Sequence, residues 1–485
     1  MLRYPFKVRD ILHRFVYLTE RERKLIDKPV FQRLRFIAQN DVASRVYPSL
    51  NTSRFEHSLG TAFVAGKIAE NILLNFDRNG DDTLKKEYLE ECGFRNEDDF
   101  TETVRIYGLI HDIGHLPLSH LFEMAFEDYA AAEGVDIEDA CEKWFRVPGF
   151  RFLHEACAAD IIDYVLRGTG LNRRVKSNVV KLVTEKELDP GDVLFPIKQI
   201  LDSEVDGDRI DATARDGLQA GGEYGNYDIE RICTSFNIIK TSGYWDLGYS
   251  HKAENCLESL LFERYRTFTW IHFHHRVIVI KTAGRVIINA LIAANKITPG
   301  HFRRGELKNR DDFWLWRLIR SYKPKNDAEK AAKKLLVQRD KKLSFVLWKH
   351  REYYHRIQDT LLEEAHLRNV EPERANIGNK LMDRAYEAGL SQAIGATPGT
   401  FEAKVSTIKF KPIGKFPVNI IGDNGEVIGD LIDKSPITGF LTEIWKAEPQ
   451  YYVVFFGTLP NGVTEESLEG LWRGYTAPYL RSKVS

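Results

Sequence analysis

The sequence predicts a mainly α protein: a helical body, with a small α+β region at the C-terminal end. Apolar residues recur three and four positions apart in long segments, which is typical of helices packed on a core. Ser53 and Glu56 have the spacing of a helix-capping box. The α+β region is indicated by β-rich segments at 404–412 and 417–421, followed by an Asp-Asn-Gly-Glu hairpin signal at 423–426.

The N-terminal elements follow from local signals. Residues 1–30 indicate a short extended start and then a helix. A further helix is predicted over 27–39, where Pro29 suits the first turn and apolar residues follow at helical spacing. Residues 40–53 indicate a loop or short hairpin before the helix that Ser53 caps.

The segment 106–122 is organised around polar side chains at the end of an apolar run. Within ten residues it holds His111, Asp112, His115 and His120. On a helix, His111 and His115 would project from one face because they are four positions apart. Pro117 is expected to disturb that helix and to place His120 on the next turn. A lone histidine is usually a core residue, but three beside an aspartate favour a metal or phosphate site.

The remaining elements are predicted to be largely helical. Helices are expected from Phe152 to about Val165, and over 172–188, 194–204, 252–297 and 326–390. Between them, Asp208, Asp211 and Arg215 have three- and four-residue spacing and can share a helix face. In the C-terminal region, 451–456 is an apolar run rich in aromatic and β-branched residues and predicts a buried strand.

Composition excludes several classes of protein. The 485 residues are 43% hydrophobic and 29% charged, which is ordinary for globular proteins and enough for two or three subdomains. No apolar run approaches the ~20 residues of a membrane span, and we expect no membrane association. The first residues lack the apolar core of a secretory signal. Five scattered cysteines without a CxxC pair indicate reduced thiols and a cytoplasmic protein.

Charge is unevenly distributed although the net charge is −1. Residues 75–145 hold 19 Asp and Glu against 6 Lys and Arg, whereas 301–350 hold 15 Lys and Arg against 6 Asp and Glu. The two segments could pair within the chain or between subunits, and the basic one could attract phosphates or nucleic acid. For most of these basic residues, a solvated helix face is the simpler interpretation.

A metal site for phosphate-ester chemistry needs oxygen and nitrogen ligands together with open positions for water and substrate. His57, the adjacent pair His111 and Asp112, and an aspartate of the cluster 206–211 supply such a set. The outer ligands would come from separate helices on either side of the pair, as in metal sites built within helical bundles.

The pattern His57, His111-Asp112 and Asp208 resembles the signature of the HD-domain metal phosphohydrolases. Within that family, residues 5–290 are similar to the deoxynucleoside triphosphate triphosphohydrolases, the bacterial dGTPases and the vertebrate sterile-alpha-motif and HD-domain enzyme. The motifs that carry this likeness are Gln39, Arg54-Phe-Glu-His57-Ser-Leu-Gly, His111-Asp-Ile-Gly-His115-x-Pro-x-Ser-His120, His154-Glu and Ala214-Arg215-Asp216.

The resemblance implies roles for individual residues. It implies a divalent metal ion (Mn, Fe, Mg, Zn or Co) held by His57, His111, Asp112 and Asp208. It implies a catalytic group of His115, Glu123 and His154. It implies substrate contacts from Gln39, Arg54, His120, Arg209, Asp216, Arg264 and His272, with Arg54 on the α-phosphate, Gln39 and Asp216 on the 3′-hydroxyl, and Arg264 closing the phosphate pocket.

Two departures from the family pattern affect the expected substrate. Relatives usually have tyrosine where this chain has Ala212 and His272, and the second of these tyrosines packs on the sugar. Their replacement predicts a looser preference for deoxyribose over ribose. His272 belongs to a cluster, 272–276, that could instead form a second anion site or a polar helix face.

Assembly and regulation are also implied. Asp27, Gln32 and Arg35 lie where regulated relatives read a guanine nucleotide effector at a subunit interface, although Phe31 and Leu34 also suit an ordinary packing helix. The resemblance and the opposed charges suggest a homo-oligomer, a dimer or tetramer. We expect a phosphohydrolase core at 1–300, a basic helical extension at 301–397 and the α+β region at 398–485.

The leading hypothesis is metal-dependent hydrolysis of deoxynucleoside triphosphates. Water would attack the α-phosphorus and release nucleoside and tripolyphosphate. One alternative is an HD phosphohydrolase acting on another nucleotide, such as a monophosphate or a cyclic dinucleotide. A second is a nucleic-acid-binding protein that uses the basic segment 301–350, which has few interleaved aromatic residues beyond Phe313, Trp314 and Trp316.

Overall fold

The computed structural model describes residues 2–185, 187–349, 351–370, 376–381, 383–407, 416–446 and 451–484. It confirms a mainly α protein with a helical body and small sheets. The helices of the first half are α1 (Glu20–Ile26), α2 (Pro29–Gln32), α3 (Arg54–Asn79), α4 (Asp82–Glu91), α5 (Glu97–Ile110), α6 (His120–Ala132), α7 (Ile137–Phe145), α8 (Leu153–Leu166), α9 (Arg173–Thr184), α10 (Phe195–Gln199), α11 (Gly207–Ala220) and α12 (Ile229–Cys233).

The second half continues with long helices and then mixes helices with strands. Its helices are α13 (Glu254–Thr267), α14 (His275–Ala293), α15 (Asp312–Ser321), α16 (Asp327–Gln338), α17 (Arg351–Glu364), α18 (Ile377–Leu381), α19 (Arg384–Ala393), α20 (Leu431–Lys434), α21 (Pro436–Lys446) and α22 (Leu468–Val484). A π-helical turn, Phe268–His272, joins α13 to α14. Among the described helices, none combines the length and apolar character needed to cross a bilayer.

The strands form three small antiparallel or mixed sheets. They are β1 (Phe6–Asp10), β2 (Arg14–Leu18), β3 (Phe236–Thr241), β4 (Tyr244–Ser250), β5 (Ser344–Val346), β6 (Phe401–Thr407), β7 (Asn419–Ile421), β8 (Val427–Asp430) and β9 (Tyr451–Gly457). The sheets have the orders β1-β2, β3-β4-β7-β8 and β5-β9-β6. Strand β9 is buried along its whole length, as its apolar sequence predicts.

The N-terminal hairpin brings a tight turn to the helical body. Strands β1 and β2 pair antiparallel from Phe6 opposite Leu18 to Asp10 opposite Arg14. The Asp10 carboxylate accepts hydrogen bonds from the backbone N–H groups of Leu12 and His13, at 2.9 and 2.8 Å. This hairpin replaces the simple extended start expected from sequence, and its turn reaches the site described below.

Helix α3 is the central helix of the body. Ser53 caps it with the capping box that the sequence predicts, since its side chain accepts from the N–H of Glu56 and the Glu56 side chain accepts from the N–H of Ser53. The helix packs against α5 on one side and α11 on another. It ends at Gly80, whose φ of +75° is a left-handed conformation that glycine adopts without a steric penalty.

Several predicted helix boundaries are wrong. The helix that leads to His111 ends at Ile110, and 111–119 form turns, so His111 and His115 do not share a helix face. The turn lies directly on α8, because a Cβ on Gly114 would be 2.0 Å from the carbonyl oxygen of His154. Pro117 lies seven positions after the last residue of α5, so it is not at the helix end, and the turn between them is packed closely against α8.

Other predicted helices are shorter than expected. In 27–39, α2 is followed by a 3-10 turn that ends at Phe36, so Gln39 lies outside a helix. In 194–204 only Phe195–Gln199 is helical, and in 326–390 strand β5 separates α16 from α17. The 404–412 segment contributes β6, while 408–415 lie outside the described residues.

The C-terminal strands do not form a sheet of their own. Strand β9 pairs with β6 and also with β5, which precedes residue 398. Strand β7 pairs parallel with β4 of the body, and the 423–426 turn joins it to β8 as predicted. The region 398–485 is therefore interleaved with the rest of the chain, and the boundaries at 300 and 397 stay predictions.

Candidate metal centre and active site

Three segments of the helical body bring polar side chains to one place. The first turn of α3 carries His57, the turn after α5 carries His111 and Asp112, and the first turn of α11 carries Asp208. Ligand atoms of His57, His111 and Asp112 all lie within 4.8 Å of one another. An Asp208 carboxylate oxygen lies 2.7 Å from His57 Nε2 and 3.7 Å from His111 Nε2. The structure thus brings the four predicted metal ligands together.

A hydrogen bond to one ring nitrogen of His111 leaves its other ring nitrogen available to a cation. Its Nδ1 donates to the Gly108 carbonyl oxygen at 2.7 Å, which leaves the lone pair on Nε2. Nε2 is buried and has no hydrogen-bond partner among the described residues. A buried imidazole nitrogen with a free lone pair beside carboxylates is the donor that a divalent ion needs. The residues present therefore fit a divalent metal ion.

His57 is completely buried between two carboxylates of α11. Its Nε2 contacts Asp208, and its Nδ1 lies 2.8 Å from Asp211. Burial alone would lower the pKa of His57, but the hydrogen bonds that His57 donates to Asp208 and Asp211 raise it to about 10. A carboxylate behind a ligating histidine fixes the orientation and tautomer of its ring in metal sites. Asp211 lies behind the ring of His57 in this way, on the side of Nδ1.

Sequence reasoning grouped Asp211 with Arg215 on one helix face but did not find the network behind His57. Asp211 accepts from Arg215 at 2.8 Å and contacts His13 Nε2 at 2.7 Å. Arg215 also donates to Asp10 at 2.9 Å. A Cβ on Gly60 would be 1.9 Å from Asp211 Oδ1, so only glycine allows this approach. Gly60, three positions after His57, is therefore the feature of the sequence that could have indicated this close contact.

Arg54 lies at the edge of the metal cluster. Its Nη1 donates to Asp112 Oδ2 at 2.5 Å, and its Nε donates to Ser119 Oγ at 3.0 Å. Its Nη2 reaches the carbonyl oxygen of Gln39 at 3.4 Å. Burial alone would raise the pKa of Asp112, but the positive charge of Arg54 opposes this effect and keeps the pKa of Asp112 well below its usual range. Gln39 Oε1 is buried without a hydrogen-bond partner in the described structure.

A second cluster of titratable side chains adjoins the first. It consists of His115, His120, Glu123 and His154, whose candidate ligand atoms lie within 4.8 Å of one another. The His115 and His154 rings are stacked with centroids 4.1 Å apart, and His115 Nε2 lies 3.2 Å from Asp112 Oδ1. Asp112 therefore joins the predicted catalytic group to the metal cluster.

Glu123 holds two histidines of this second cluster. It contacts His154 Nδ1 closely and lies 2.7 Å from His120 Nδ1. The two stacked imidazoles differ in their proton affinity. Burial, Arg54 and His154 lower the pKa of His115, whereas Glu123 outweighs burial and raises the pKa of His154. Shifts in opposite directions favour the neutral form of one imidazole and the protonated form of the other, which is the arrangement general acid–base chemistry uses.

We expect Glu123→Gln to lower the pKa of His154, because it removes the main group that favours the imidazolium. The Glu123–His154 interaction stabilises the fold fully below the unfolded histidine pKa of ~6.5 and is lost as pH rises through the raised folded value. The variant should therefore lose more unfolding free energy at pH 6 than at pH 9. Denaturant unfolding at both pH values and an NMR titration of the His154 ring test this, and equal losses at the two pH values would contradict it.

The predicted sugar and phosphate contacts lie around the metal cluster. Asp216 lies 3.3 Å from His272 Nε2 and accepts from the side chain of Asn40 at 2.6 Å. Asn40 was not predicted, although it follows Gln39 directly. Arg209 pairs with Asp206 at 2.6 Å, and Arg264 lies 3.4 Å from Glu204. Each of these two guanidiniums is thus paired with a neighbouring carboxylate.

The predicted effector residues form an exposed edge of the helical body. Asp27 directly follows α1, Gln32 is the last residue of α2, and Arg35 lies in the 3-10 turn after α2. Arg35 Nε donates to Gln32 Oε1 at 2.7 Å, and its guanidinium lies over the Phe55 ring, 3.6 Å from the centroid. Asp27 pairs with Arg23 at 3.4 Å, and both side chains are at least half exposed. Phe31 and Leu34 are fully buried beneath them. The edge thus combines a packing helix with an exposed polar surface.

Comparison with known families identifies the domain that holds this site. Residues 54–185 match the family model of the HD domain. The chain contains an HD domain. HD domains are metal-dependent, and the two clusters described above could bind a divalent ion. The match starts at Arg54 and ends one residue after α9, so Asp208 and Asp211 lie beyond the matched part of the HD domain.

Proteins similar to this HD-domain chain include characterised and uncharacterised relatives. An uncharacterised protein of Methanocaldococcus jannaschii is 30% identical over 313 residues, 64% of this chain and 54% of the relative. An uncharacterised protein of Mycoplasma pneumoniae is 26% identical over 53% of this chain and 52% of its own. The deoxynucleoside triphosphate triphosphohydrolase SAMHD1 of Xenopus laevis is 29% identical over 39% of this chain and 24% of its own.

The chain therefore spans about half the length, or less, of these curated relatives. Among solved structures, a hypothetical protein from Aquifex aeolicus superposes with a TM-score of 0.63 at 18% identity, covering 99% of this chain and 100% of the other. That likeness extends the shared fold from the HD domain to the C-terminal strands.

Proposed function

We propose that the protein hydrolyses deoxynucleoside triphosphates to nucleoside and tripolyphosphate by attack of water at the α-phosphorus. The observation that carries this proposal is the contact of Arg54 with Asp112, 2.5 Å long, at the edge of the metal cluster. A guanidinium there can bind a phosphate that also meets the metal. SAMHD1 of Xenopus laevis, a similar protein by sequence, is named a deoxynucleoside triphosphate triphosphohydrolase.

The proposal assigns a task to each group of side chains. A divalent ion held by His57, His111, Asp112 and Asp208 would offset charge on phosphate oxygens and activate water. Arg54 would exchange its bond to Asp112 for the α-phosphate and keep its bond to Ser119. His154, whose protonated form Glu123 favours, would give a proton to the leaving oxygen, and His115, whose neutral form burial and Arg54 favour, would accept one.

The sugar would lie toward Gln39 and Asp216. The free Oε1 of Gln39 can accept a hydrogen bond from a hydroxyl group, and Asp216 can do the same. His272, in contact with Asp216, stands where relatives have a tyrosine that packs on the sugar. Its smaller ring and the absence of a hydroxyl at Ala212 favour a looser selection of deoxyribose over ribose.

Product analysis tests the proposal. The purified protein is incubated with each deoxynucleoside and ribonucleoside triphosphate and with Mg, Mn, Fe, Co or Zn, and the products are followed by phosphorus NMR and chromatography. We expect nucleoside and intact tripolyphosphate in one step, without a diphosphate intermediate. Pyrophosphate with monophosphate, or orthophosphate with diphosphate, would contradict attack at the α-phosphorus and support the alternative of an HD phosphohydrolase with another specificity.

Nucleic-acid binding through 301–350 is the competing function. Within this segment, the ring of Trp316 lies against the guanidinium of Arg45, a residue from outside the segment. The guanidinium carbon is 4.7 Å from the ring centroid. If this surface carries the function, single-stranded nucleic acid should bind in a strongly salt-dependent manner, and binding should survive His111→Ala.

We also propose that the protein is a homo-oligomer, a dimer or tetramer. In this assembly, exposed residues of the acidic segment 75–145 would face exposed residues of the basic segment 301–350. Association driven by opposite charges weakens with ionic strength. We therefore expect light scattering to give a multiple of 55.9 kDa at micromolar concentration and a smaller mass at high salt. A monomer at low salt, with and without nucleotide, would contradict the proposal.

We propose further that Asp27, Gln32 and Arg35 bind a nucleotide effector. Arg35 is exposed and held by Gln32, so a nucleotide base or phosphate could replace that contact. Arg35→Ala should keep the metal content and the basal rate but lose any acceleration by GTP or dGTP. Arg23→Ala, on the neighbouring surface, is the matched control. Unchanged activation in Arg35→Ala would leave the motif with a packing role.

A further inference from the structure

One carboxylate outside the HD domain joins the two backbone segments next to the active site. Asp312 is the first residue of α15, more than 100 residues after the matched domain ends. Its Oδ2 accepts from the backbone N–H of Ala38 at 2.9 Å, and its Oδ1 accepts from the backbone N–H of Leu118 at 2.7 Å. Ala38 precedes Gln39, and Leu118 precedes Ser119 and His120.

The same two segments contact each other through the hydroxyl group that holds Arg54. Ser119 Oγ donates to the carbonyl oxygen of Ala38 at 2.6 Å and accepts from Arg54 Nε at 3.0 Å. Arg54 then reaches Asp112 with Nη1. Asp312 therefore fixes the backbone on both sides of the Ser119 hydroxyl, and through it the place of the Arg54 guanidinium.

The backbone held in this way is in an unfavourable conformation. Leu118 and Ser119 have φ values of +58° and +49°, which side chains other than glycine rarely adopt. Ser119 is also the N-cap of α6, but its side chain makes no capping hydrogen bond, since it is engaged with Ala38 and Arg54. Strained positions of this kind persist only where surrounding contacts hold them, and they cluster at functional sites.

Asp312 is not placed where a carboxylate is most stable. Burial outweighs its two N–H partners and raises the pKa of Asp312 to about 7, with Asp311 and Asp41 adding repulsion. Asp312 nevertheless accepts two hydrogen bonds from the backbone segments around Arg54, and these contacts are what its place in the fold provides.

We propose that Asp312 is a positioning residue that sets the guanidinium of Arg54 for the α-phosphate by fastening Ala38 and Leu118. The inference rests on the proposed hydrolysis and adds to it a determinant from beyond the HD domain. Asp312 belongs to neither candidate metal cluster and binds the backbone N–H groups of Ala38 and Leu118, so it would act through these two segments.

The test compares Asp312→Asn with Asp311→Asn. Asparagine at 312 has one carbonyl oxygen and one amide group, so it cannot accept from both backbone N–H groups. Asp311 is the N-cap of α15, accepting from the Trp314 N–H at 2.9 Å, and asparagine caps equally well. Displacing a catalytic group by about 1 Å can cost on the order of 100-fold in rate. We expect Asp312→Asn to lower kcat/KM by about 10- to 100-fold and Asp311→Asn to leave it unchanged.

A double-mutant cycle separates positioning from general destabilisation. If Asp312 acts through Arg54, then Asp312→Asn should change the residual kcat/KM by less than about threefold once Arg54→Ala is present, because coupled residues are not additive. Full additivity of the two losses, or equal losses in Asp312→Asn and Asp311→Asn, would overturn the proposal.

Amide hydrogen exchange tests the proposal independently of catalytic activity. The amides of Ala38 and Leu118 should exchange faster in Asp312→Asn than in the wild type, while metal content and exchange in α16 stay unchanged. If the wild-type protein hydrolyses no nucleotide, the proposed function fails, whereas faster exchange at the two amides would still support the fastening. Unchanged exchange at both amides would overturn the assignment of Asp312 whatever the activity.

Discussion

His111→Ala is expected to abolish turnover and to release the metal ion. The substitution removes the hydrogen bond of His111 to the Gly108 carbonyl oxygen and also a buried ring nitrogen that lies within 4.8 Å of ligand atoms of His57 and Asp112. Loss of a metal ion that stabilises transition-state charge by several kcal/mol corresponds to about a 1000-fold or greater loss in rate. Metal content by mass spectrometry and turnover under saturating nucleotide measure the two effects together.

Asp208→Asn and His355→Ala complete this experiment. The amide at 208 keeps the shape of the carboxylate but loses the charge that a cation requires, so it should resemble His111→Ala. His355, on α17, is far along the chain from the site and controls for loss of a histidine as such. A His111→Ala protein that keeps both metal and activity would refute the ligand assignment.

Arg54→Ala is expected to lower kcat/KM by about 100- to 1000-fold while metal remains bound, the cost typical of losing a donor aimed at developing negative charge. The variant also leaves Asp112 buried without its guanidinium, and breaking a buried ion pair can cost ~3–5 kcal/mol of stability. Bound metal should offset that cost, so rates and thermal unfolding are measured with saturating metal.

Arg54→Lys separates charge from geometry. Lysine keeps the positive charge beside Asp112 but lacks the planar fork that can bind Ser119 together with either Asp112 or, in its place, a phosphate. It should therefore restore stability more fully than it restores kcat/KM. If Arg54→Ala weakens metal binding as much as it weakens catalysis, the side chain supports the metal cluster and does not bind the phosphate.

Part of the metal cluster was predictable because His57 and the pair His111-Asp112 lie in compact motifs, whereas Asp208 was assigned through the family resemblance. His57 follows a capping box that fixes the start of α3, and His111 and Asp112 are adjacent, so their proximity needed no knowledge of the tertiary fold. The geometry around them was less predictable. Helix α5 ends at Ile110, and the Gly114 turn after it packs directly against α8, an arrangement that residue spacing does not show.

Residues that act through long-range contacts could not be found from local patterns. His13 and Asp211 are 198 positions apart, and Asp312 is 274 positions from Ala38, so only the folded chain brings them together. The same reason explains the C-terminal sheets. The β7 strand was predicted, but its parallel pairing with β4 depends on the body that offers β4 an open edge.

The distance along the chain between His57 and the α11 carboxylates has a consequence for biosynthesis. When residue 185 has been translated, His57, His111 and Asp112 are all present, but Asp208 and Asp211 have not yet been made. His57 and Asp208 are 151 positions apart, so their contact closes a long segment of chain, which costs entropy and is slower to form than a local contact. A nascent chain should therefore hold the ion weakly until α11 docks on α3, which delays selection of the metal until the helical body is complete.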